Sequence, residues 1–142
     1  GLDLAPPAAE RFRTLREEHG LSSTQAEIEV GDFFEFDPGH TFDRIWDYTF
    51  LCAIDPRSRE DWARKMREIV SPSGELLTLI FPVDIEDSSA TTHEDPGPPY
   101  RLHPEVVKDL LNPHFEQIAL EKVEQSHPGR DGMEWLAKWR PI

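Results

Sequence analysis

Three acidic side chains stand at the end of an apolar segment or within one, and each could bind part of a nucleotide-like ligand. Asp3 follows Leu2 at the start of the chain, at the end of what could be a strand. A carboxylate at such a position, before a helix, can accept hydrogen bonds from both hydroxyls of a ribose. It can equally cap the helix that follows, and position alone leaves both interpretations open.

Asp32 and Phe33 follow a second apolar segment, residues 26–30. Asp32 could accept a hydrogen bond from an adenine amino group while Phe33 packs against the ring. On these two residues alone, the simpler interpretation is a solvated turn acid beside a core phenylalanine. Both interpretations place the pair directly after a strand, where ligands bind in open α/β sheets.

Asp47 lies within an aromatic and β-branched run, residues 42–50, where a carboxylate needs a partner or a function. A salt bridge to a neighbouring arginine and a role in a binding site explain it equally well. Cys52 is predicted to be core, because nothing near it in sequence would lower the pKa of its thiol. His, Glu and Asp at residues 93–95 lack supporting ligands, so we predict no metal site.

The elements that must position these residues alternate between strand and helix. The patterns predict strands at 26–30, 42–50, 76–81, 115–123 and 133–139, helices at 5–19, 57–70 and 103–111, turns at 37–40, 71–74 and 126–129, and a loop at 82–100. Residues 1–4 are too few for periodicity to assign, but they could be the end of a further strand. The continuous apolar run at 76–81 is typical of a strand covered on both faces. We therefore expect one α/β domain over 1–142, with a mostly parallel sheet and an antiparallel strand at one edge.

Composition restricts the partners of the chain. It has 28 acidic and 15 basic residues, a net charge of −13, which would repel nucleic acids and anionic membranes. One cysteine excludes a disulfide framework, and no apolar stretch reaches the ~20 residues that span a bilayer. We predict a cytoplasmic protein with a small-molecule substrate, and make no prediction of its oligomeric state. The chain begins with Gly rather than Met, which is typical of the interior of a longer protein.

Several segments together resemble one family of enzymes. They are Gly-Leu-Asp-Leu at 1–4, Phe-Asp-Arg-Ile-Trp-Asp-Tyr-Thr-Phe-Leu-Cys-Ala-Ile at 42–54, Gly-Glu-Leu-Leu-Thr-Leu at 74–79, Gly-Pro-Pro-Tyr at 97–100 and Lys-Trp at 138–139. In this order and at these spacings, they are similar to class I S-adenosylmethionine-dependent methyltransferases of the thiopurine and thiol/halide kind. The resemblance implies a Rossmann-like fold and S-adenosyl-L-methionine as cofactor.

The resemblance also implies roles for individual residues. It implies that Asp3 and Leu4 bind the ribose, that Asp32 and Phe33 flank the adenine, and that Asp47, Tyr48 and Thr49 line the sulfonium end near the acceptor. Arg59 matches an arginine position of the thiopurine branch and would attract an anionic acceptor. Tyr100 and Arg101 would close the acceptor side from their loop. The implied catalytic residues are Asp47, Tyr48 and Arg59, with Asp47 or Tyr48 assisting a neutral thiol.

The implied reaction is direct displacement at the cofactor methyl by a thiol, sulfide, thiocyanate or halide. The family's glycine-rich first strand has no counterpart in these residues, which predicts a sheet without its middle strand and a partial, C-terminal domain. The acidic loop at 82–96 is longer than the family leads us to expect. Two alternatives stay open: another nucleotide-binding α/β enzyme such as a dehydrogenase, and a non-catalytic remnant or interaction module.

Overall fold

The computed structural model describes residues 1–84, 87 and 92–142, which form two compact units, residues 1–38 and 39–142. The elements are β1 (Leu2–Asp3), α1 (Pro6–Glu18), β2 (Glu29–Val30), β3 (Phe42–Tyr48), α2 (Arg59–Ile69), β4 (Val70–Ile80), α3 (Pro104–Leu111), β5 (Phe115–Lys122) and β6 (Trp135–Pro141), with a 3-10 turn at Pro56–Ser58. The alternating α/β order is confirmed. A single domain over the whole chain stays a prediction.

The first unit is a strand–helix–strand motif. β1 pairs in parallel with β2, in the register Leu2 to Glu29 and Asp3 to Val30. Prolines stand in the first turn of α1, where a missing N–H costs nothing. The helix ends before Gly20, whose φ of 66° few other residues adopt easily. Because both strands run the same way, the residues that follow β1 and β2 lie at the same end of this unit.

The second unit contains a four-stranded sheet in the order β3-β4-β6-β5. β3 and β4 are parallel, and β6 pairs antiparallel with both β4 and β5. The predicted antiparallel pair of final strands is therefore confirmed, but the antiparallel strand β6 lies one place in from the edge and β5 is the edge strand. The inner place suits β6 because Ala137 and Trp139 are fully buried, whereas β5 is largely exposed.

The strand β4 begins at Val70, directly after α2, and not at residue 76 as predicted. Phe42 pairs with Val70 and Arg44 with Glu75, so residues 71–74 form a bulge between these two pairs. A Cβ atom at Gly74 would lie 2.9 Å from the backbone oxygens of both Phe42 and Asp43. The turn-like residues at 71–74 are thus accommodated inside a strand, because glycine lets the two backbones approach closely.

The core of the second unit lies between its sheet and two helices. α2 contacts β4 and α3, and α3 contacts β5. The apolar face of α2, which contains Trp62, Met66 and Ile69, is buried, and Cys52 is also buried as predicted. Among the residues described, no helix is long and apolar enough to cross a membrane.

Candidate active site

In the first unit, the structure places Asp3 and Asp32 at the same end of the paired strands. The amide of Gly31 donates to the carbonyl oxygen of Asp3, which joins the two segments. Oδ1 of Asp3 accepts a 2.8 Å hydrogen bond from the Ala5 amide. This contact is not a helix cap, because the N-cap residue of α1 is Ala5 and no described side chain caps the helix. Oδ2 of Asp3 accepts no hydrogen bond from any described residue, and Leu4 beside it is exposed.

Asp32 lies in a tight turn. Its Oδ1 accepts a 2.8 Å hydrogen bond from the amide of Phe34, and its side chain is exposed. Phe33 is half-buried and meets Phe34 edge to face, with ring centroids 5.4 Å apart. This geometry is that of a solvated turn acid beside a partly buried phenylalanine. It leaves the carboxylate of Asp32 accessible, so its binding of adenine stays a prediction.

In the second unit, Asp47 occupies the last inward position of β3 and is 2% exposed. Oδ1 accepts hydrogen bonds from the amides of Phe50 (3.3 Å) and Leu51 (3.2 Å), and Oδ2 accepts one of 2.9 Å from Nε1 of Trp62. From the sequence we expected a salt bridge to an arginine or a role in a binding site, and not these partners. Within the described residues, no arginine forms an ion pair with Asp47. Burial raises the pKa of Asp47 to about 6, against the lowering effect of these hydrogen bonds.

The chain leaves β3 through a strained residue. Thr49 has a φ of 61°, in the left-handed region that β-branched residues rarely adopt. Its carbonyl oxygen accepts a hydrogen bond from the buried thiol of Cys52. Asp47 holds the following amides, so the turn is fixed from both sides. Such strain persists only where surrounding contacts determine the backbone, and it is common at functional sites.

Tyr100 and Arg59 both follow this turn in the sequence, and the segment at 100–101 contacts both the turn and Arg59. The Tyr100 amide donates a 2.7 Å hydrogen bond to the carbonyl oxygen of Cys52. Nη2 of Arg59 donates to the carbonyl oxygen of Arg101 at 3.4 Å. The structure therefore brings together Asp47, Arg59 and Tyr100, although Arg59 lies 12 positions and Tyr100 lies 53 positions after Asp47 in the sequence.

Two arginines, Arg59 and Arg101, lie near this turn, and Arg59 has the more unusual surroundings. It is 5% exposed, its Nε has no hydrogen-bond partner among the described residues, and burial lowers its pKa below the ordinary value. Nη1 of Arg101, in contrast, lies 3.5 Å from Asp84 and 2.8 Å from Asp87. No described residue forms a salt bridge with Arg59. A buried guanidinium without such a partner is costly, which makes Arg59 the better candidate of the two for an anionic ligand.

The loop at 97–100 has a local reason for its glycine. A Cβ atom at Gly97 would lie 2.5 Å from the ring of Tyr100, so only glycine lets the ring lie back over this position.

Residues 85, 86 and 88–91 of the acidic loop at 82–96 lie outside the described residues. In the remainder of the chain, no group of three His, Cys, Asp or Glu side chains is arranged to hold a metal ion.

Sequence reasoning missed Arg130, which reaches the end of the sheet from the connection between β5 and β6. Its Cζ lies 4.4 Å from the ring centroid of Phe81, and its Nη1 donates to the hydroxyl of Tyr48 at 3.4 Å. No local sequence pattern indicated this position, because it follows from the antiparallel pairing of β4 and β6, in which Ile80 faces Trp135. Residues that precede β6 must then lie beside the carboxyl end of β4.

The chain is similar to known proteins in sequence and in fold. Residues 1–139 match the family model described as thiopurine S-methyltransferase. The chain is 36% identical to thiocyanate methyltransferase 1 of Brassica oleracea over all of its length and 37% identical to probable thiol methyltransferase 2 of Arabidopsis thaliana over 99% of it. It spans 59% and 58% of the lengths of these relatives. A glycopeptide N-methyltransferase, MtfA, solved with S-adenosyl-L-homocysteine, superposes on 99% of the chain, which covers 72% of MtfA, with a TM-score of 0.76 and 17% identity.

Proposed function

The chain belongs to the thiopurine S-methyltransferase family, and from this premise we propose that the protein containing it methylates a small sulfur or halide nucleophile with S-adenosyl-L-methionine. The observation that carries the proposal is the turn after β3, where Asp47, Tyr100 and the buried Arg59 converge. Two relatives with more than a third of their aligned residues identical are named for thiocyanate or thiol methylation. The enzymatic alternative, a nucleotide-binding dehydrogenase, would have no role for the Trp-Asp-Tyr segment at 46–48 or for the Gly-Pro-Pro-Tyr segment at 97–100.

The residues of the first unit fit the nucleoside part of the cofactor. Asp3 keeps one carboxylate oxygen without a described partner, which suits a ribose hydroxyl, and the exposed Leu4 follows it. Asp32 presents an accessible carboxylate for the adenine amino group, and the half-buried Phe33 offers a ring surface. We assign these four residues to cofactor binding.

The residues of the second unit fit the reacting end. Asp47 and Thr49 shape the turn that we assign to the sulfonium end, and Tyr48 points its hydroxyl toward Arg130 beside it. Because both oxygens of Asp47 are occupied by neighbouring donors, we assign it the task of holding the turn rather than that of removing a proton. Tyr48 is then the remaining side chain that can assist a neutral thiol.

The acceptor is assigned to the cationic and aromatic side of this turn. Arg59 supplies a buried positive charge, and Tyr100 closes the turn through its amide. Arg101 contributes its backbone oxygen to Arg59, while its own charge is balanced by Asp84 and Asp87. A buried positive charge beside an aromatic residue suits a small anion, whose reactivity rises when water is removed from it.

When bound, the cofactor supplies an electrophilic methyl group on a positively charged sulfur. A lone pair of the acceptor forms the new bond to carbon, while the electrons of the broken carbon–sulfur bond return to the cofactor sulfur. A thiocyanate, halide or thiolate acceptor loses no proton, so no strong base is needed. The chain itself contributes the orientation of the reacting groups.

Titration calorimetry with S-adenosyl-L-homocysteine, followed by an assay of thiocyanate methylation, tests the proposal. We expect binding by the wild-type protein, and weakening by about tenfold or more in Asp3→Ala, because a charge-assisted hydrogen bond to ribose is lost. Glu10→Ala, an exposed acid on α1, is the matched control and should bind normally. Unchanged binding in Asp3→Ala would contradict the ribose assignment. A folded protein that binds no cofactor would favour the non-catalytic alternative.

A further inference from the structure

Arg130 is held at the carboxyl end of the sheet by three different contacts. Its guanidinium lies over the ring of Phe81, with Cζ 4.4 Å from the centroid. Nη1 donates to the hydroxyl of Tyr48 at 3.4 Å and lies 3.3 Å from Oε1 of Glu134. Phe81 follows β4 and Tyr48 ends β3, so the positive charge stands where both parallel strands end. This is the edge of an α/β sheet at which ligands bind.

The contacts of Arg130 leave part of its donor set available. Glu134, its acidic partner, is itself buried, and its carboxylate contacts only one of the three guanidinium nitrogens. Nε and Nη2 donate to no described residue, and the side chain keeps 27% of its surface exposed. Arg101, in contrast, is balanced by two carboxylates, and Arg59 is almost wholly buried. Among these three arginines, Arg130 alone is both fixed and accessible to a ligand from solvent.

The surroundings of Arg130 are aromatic as well as cationic. Tyr48 stacks on Trp46 with ring centroids 6.0 Å apart, and both rings are about half exposed. Together with Phe81, they form an aromatic surface beside the guanidinium. Large, polarisable anions are weakly hydrated and give up water more readily to such a surface than small, hard anions do. A guanidinium is itself more weakly hydrated than an ammonium, which makes arginine the better partner for them.

The position of Arg130 also relates it to the turn after β3. Its charge and that of Arg59 both act on the thiol of Cys52, the central residue of that turn. The two arginines therefore lie near the same short segment, one buried and one accessible.

We propose that Arg130, fixed over Phe81 and against Tyr48 by the buried Glu134, is a specificity-determining residue that binds the anionic form of the acceptor and favours it over neutral acceptors. This inference rests on the proposed function and deepens it, since it names the feature of the acceptor that the site recognises. Arg130 takes no part in proton transfer, so its contribution is to acceptor binding and not to the chemical step.

Steady-state kinetics of Arg130→Gln, with thiocyanate and with a thiol assayed two pH units below its own pKa, test the proposal. We expect the KM for thiocyanate to rise about tenfold to a hundredfold, the range for loss of one charge-assisted hydrogen bond, with kcat within about twofold. The KM for the mostly neutral thiol should change by less than about twofold. Arg130→Lys should recover part of the loss, because it keeps the charge without the planar donors. Arg64→Gln, an exposed arginine on α2, is the matched control.

Each outcome separates this inference from the proposed function. A wild-type protein that transfers no methyl group to thiocyanate contradicts the proposed function. A wild-type protein that does so, together with an Arg130→Gln variant of unchanged KM for thiocyanate, overturns the role of Arg130 alone. Equal rises of KM for both acceptors would show that Arg130 acts only on the structure of the site, and would also overturn it. If Arg130→Gln does not fold, the same comparison is made with Arg130→Lys.

Discussion

The indole nitrogen of Trp62 donates a 2.9 Å hydrogen bond to Oδ2 of Asp47, which ties the first half of α2 to the end of β3. Both side chains are buried, and Oδ1 of the same carboxylate accepts two amide hydrogen bonds from the turn that follows β3. One carboxylate thus joins a strand, a turn and a helix. The residues that we assign to the reacting end depend on this junction for their positions.

Trp62→Phe should destabilise the protein by at least about 2 kcal/mol, because it leaves a buried carboxylate oxygen without its donor and opens a cavity. Chemical denaturation of the variant and the wild type measures this difference. Trp46→Phe is the matched control, since Trp46 is 54% exposed, and its effect should stay within about 0.5 kcal/mol. Equal effects of the two substitutions would contradict a structural role for the Asp47–Trp62 pair.

The pH dependence of stability should carry a contribution from Asp47. Its pKa is about 6 in the folded protein, against 3.8 for an ordinary aspartate, because burial outweighs its hydrogen bonds. Between about pH 4 and pH 6, the folded state therefore holds a proton that the unfolded chain has released, and stability falls as the pH rises through this window. The loss amounts to about 2–3 kcal/mol.

Asp47→Asn isolates this contribution, because asparagine does not titrate and keeps the shape of the side chain. The difference in unfolding free energy between the wild type and Asp47→Asn, measured from pH 3 to pH 8, should change with pH mainly between the two pKa values. Other titrating groups cancel in this difference. A flat difference across the range would show that the pKa of Asp47 is not raised.

Local patterns in the sequence predicted the elements that depend on neighbouring residues. The prolines of α1, the apolar face of α2 and the buried strand at 76–81 each follow from residue types a few positions apart. The extension of β4 back to Val70 could not be predicted, because Ser-Pro-Ser-Gly at 71–74 has the composition of a turn. Only the backbone oxygens of the neighbouring β3 show why Gly74 lies in a bulge.

The sequence indicated candidate site residues that directly follow strands. It did not indicate contacts that depend on the order of strands in the sheet or on the packing of a helix. Asp47 was expected to face an arginine or a ligand, whereas its partner Trp62 lies 15 positions along the chain on the next helix. Arg130 contacts Tyr48 across 82 positions of sequence, through the insertion of β6 beside β4. Periodicity describes which face of an element is buried, but not which elements become neighbours.

Gly74→Ala should destabilise the second unit by about 1–3 kcal/mol, because the new methyl group would lie 2.9 Å from two backbone oxygens of β3 that cannot move independently. Thermal and chemical unfolding measure this loss. Gly31→Ala is the matched control, since its Cβ would meet only a side-chain atom of Leu2 at an ordinary 3.6 Å. A Gly74→Ala variant as stable as the wild type would show that residues 71–74 are not closely packed against β3.

Gly97→Ala should weaken acceptor binding more than it reduces the stability of the fold. The added Cβ would lie 2.5 Å from the Tyr100 ring, which must move away from position 97, while the hydrogen bond from the Tyr100 amide to Cys52 can remain. We expect a higher KM for thiocyanate, with cofactor affinity unchanged and a stability loss of about 1–2 kcal/mol. Tyr100→Phe, which keeps the ring, separates its packing from its hydroxyl and should resemble the wild type if packing matters. A Gly97→Ala variant whose KM is unchanged would remove Tyr100 from the acceptor side of the site.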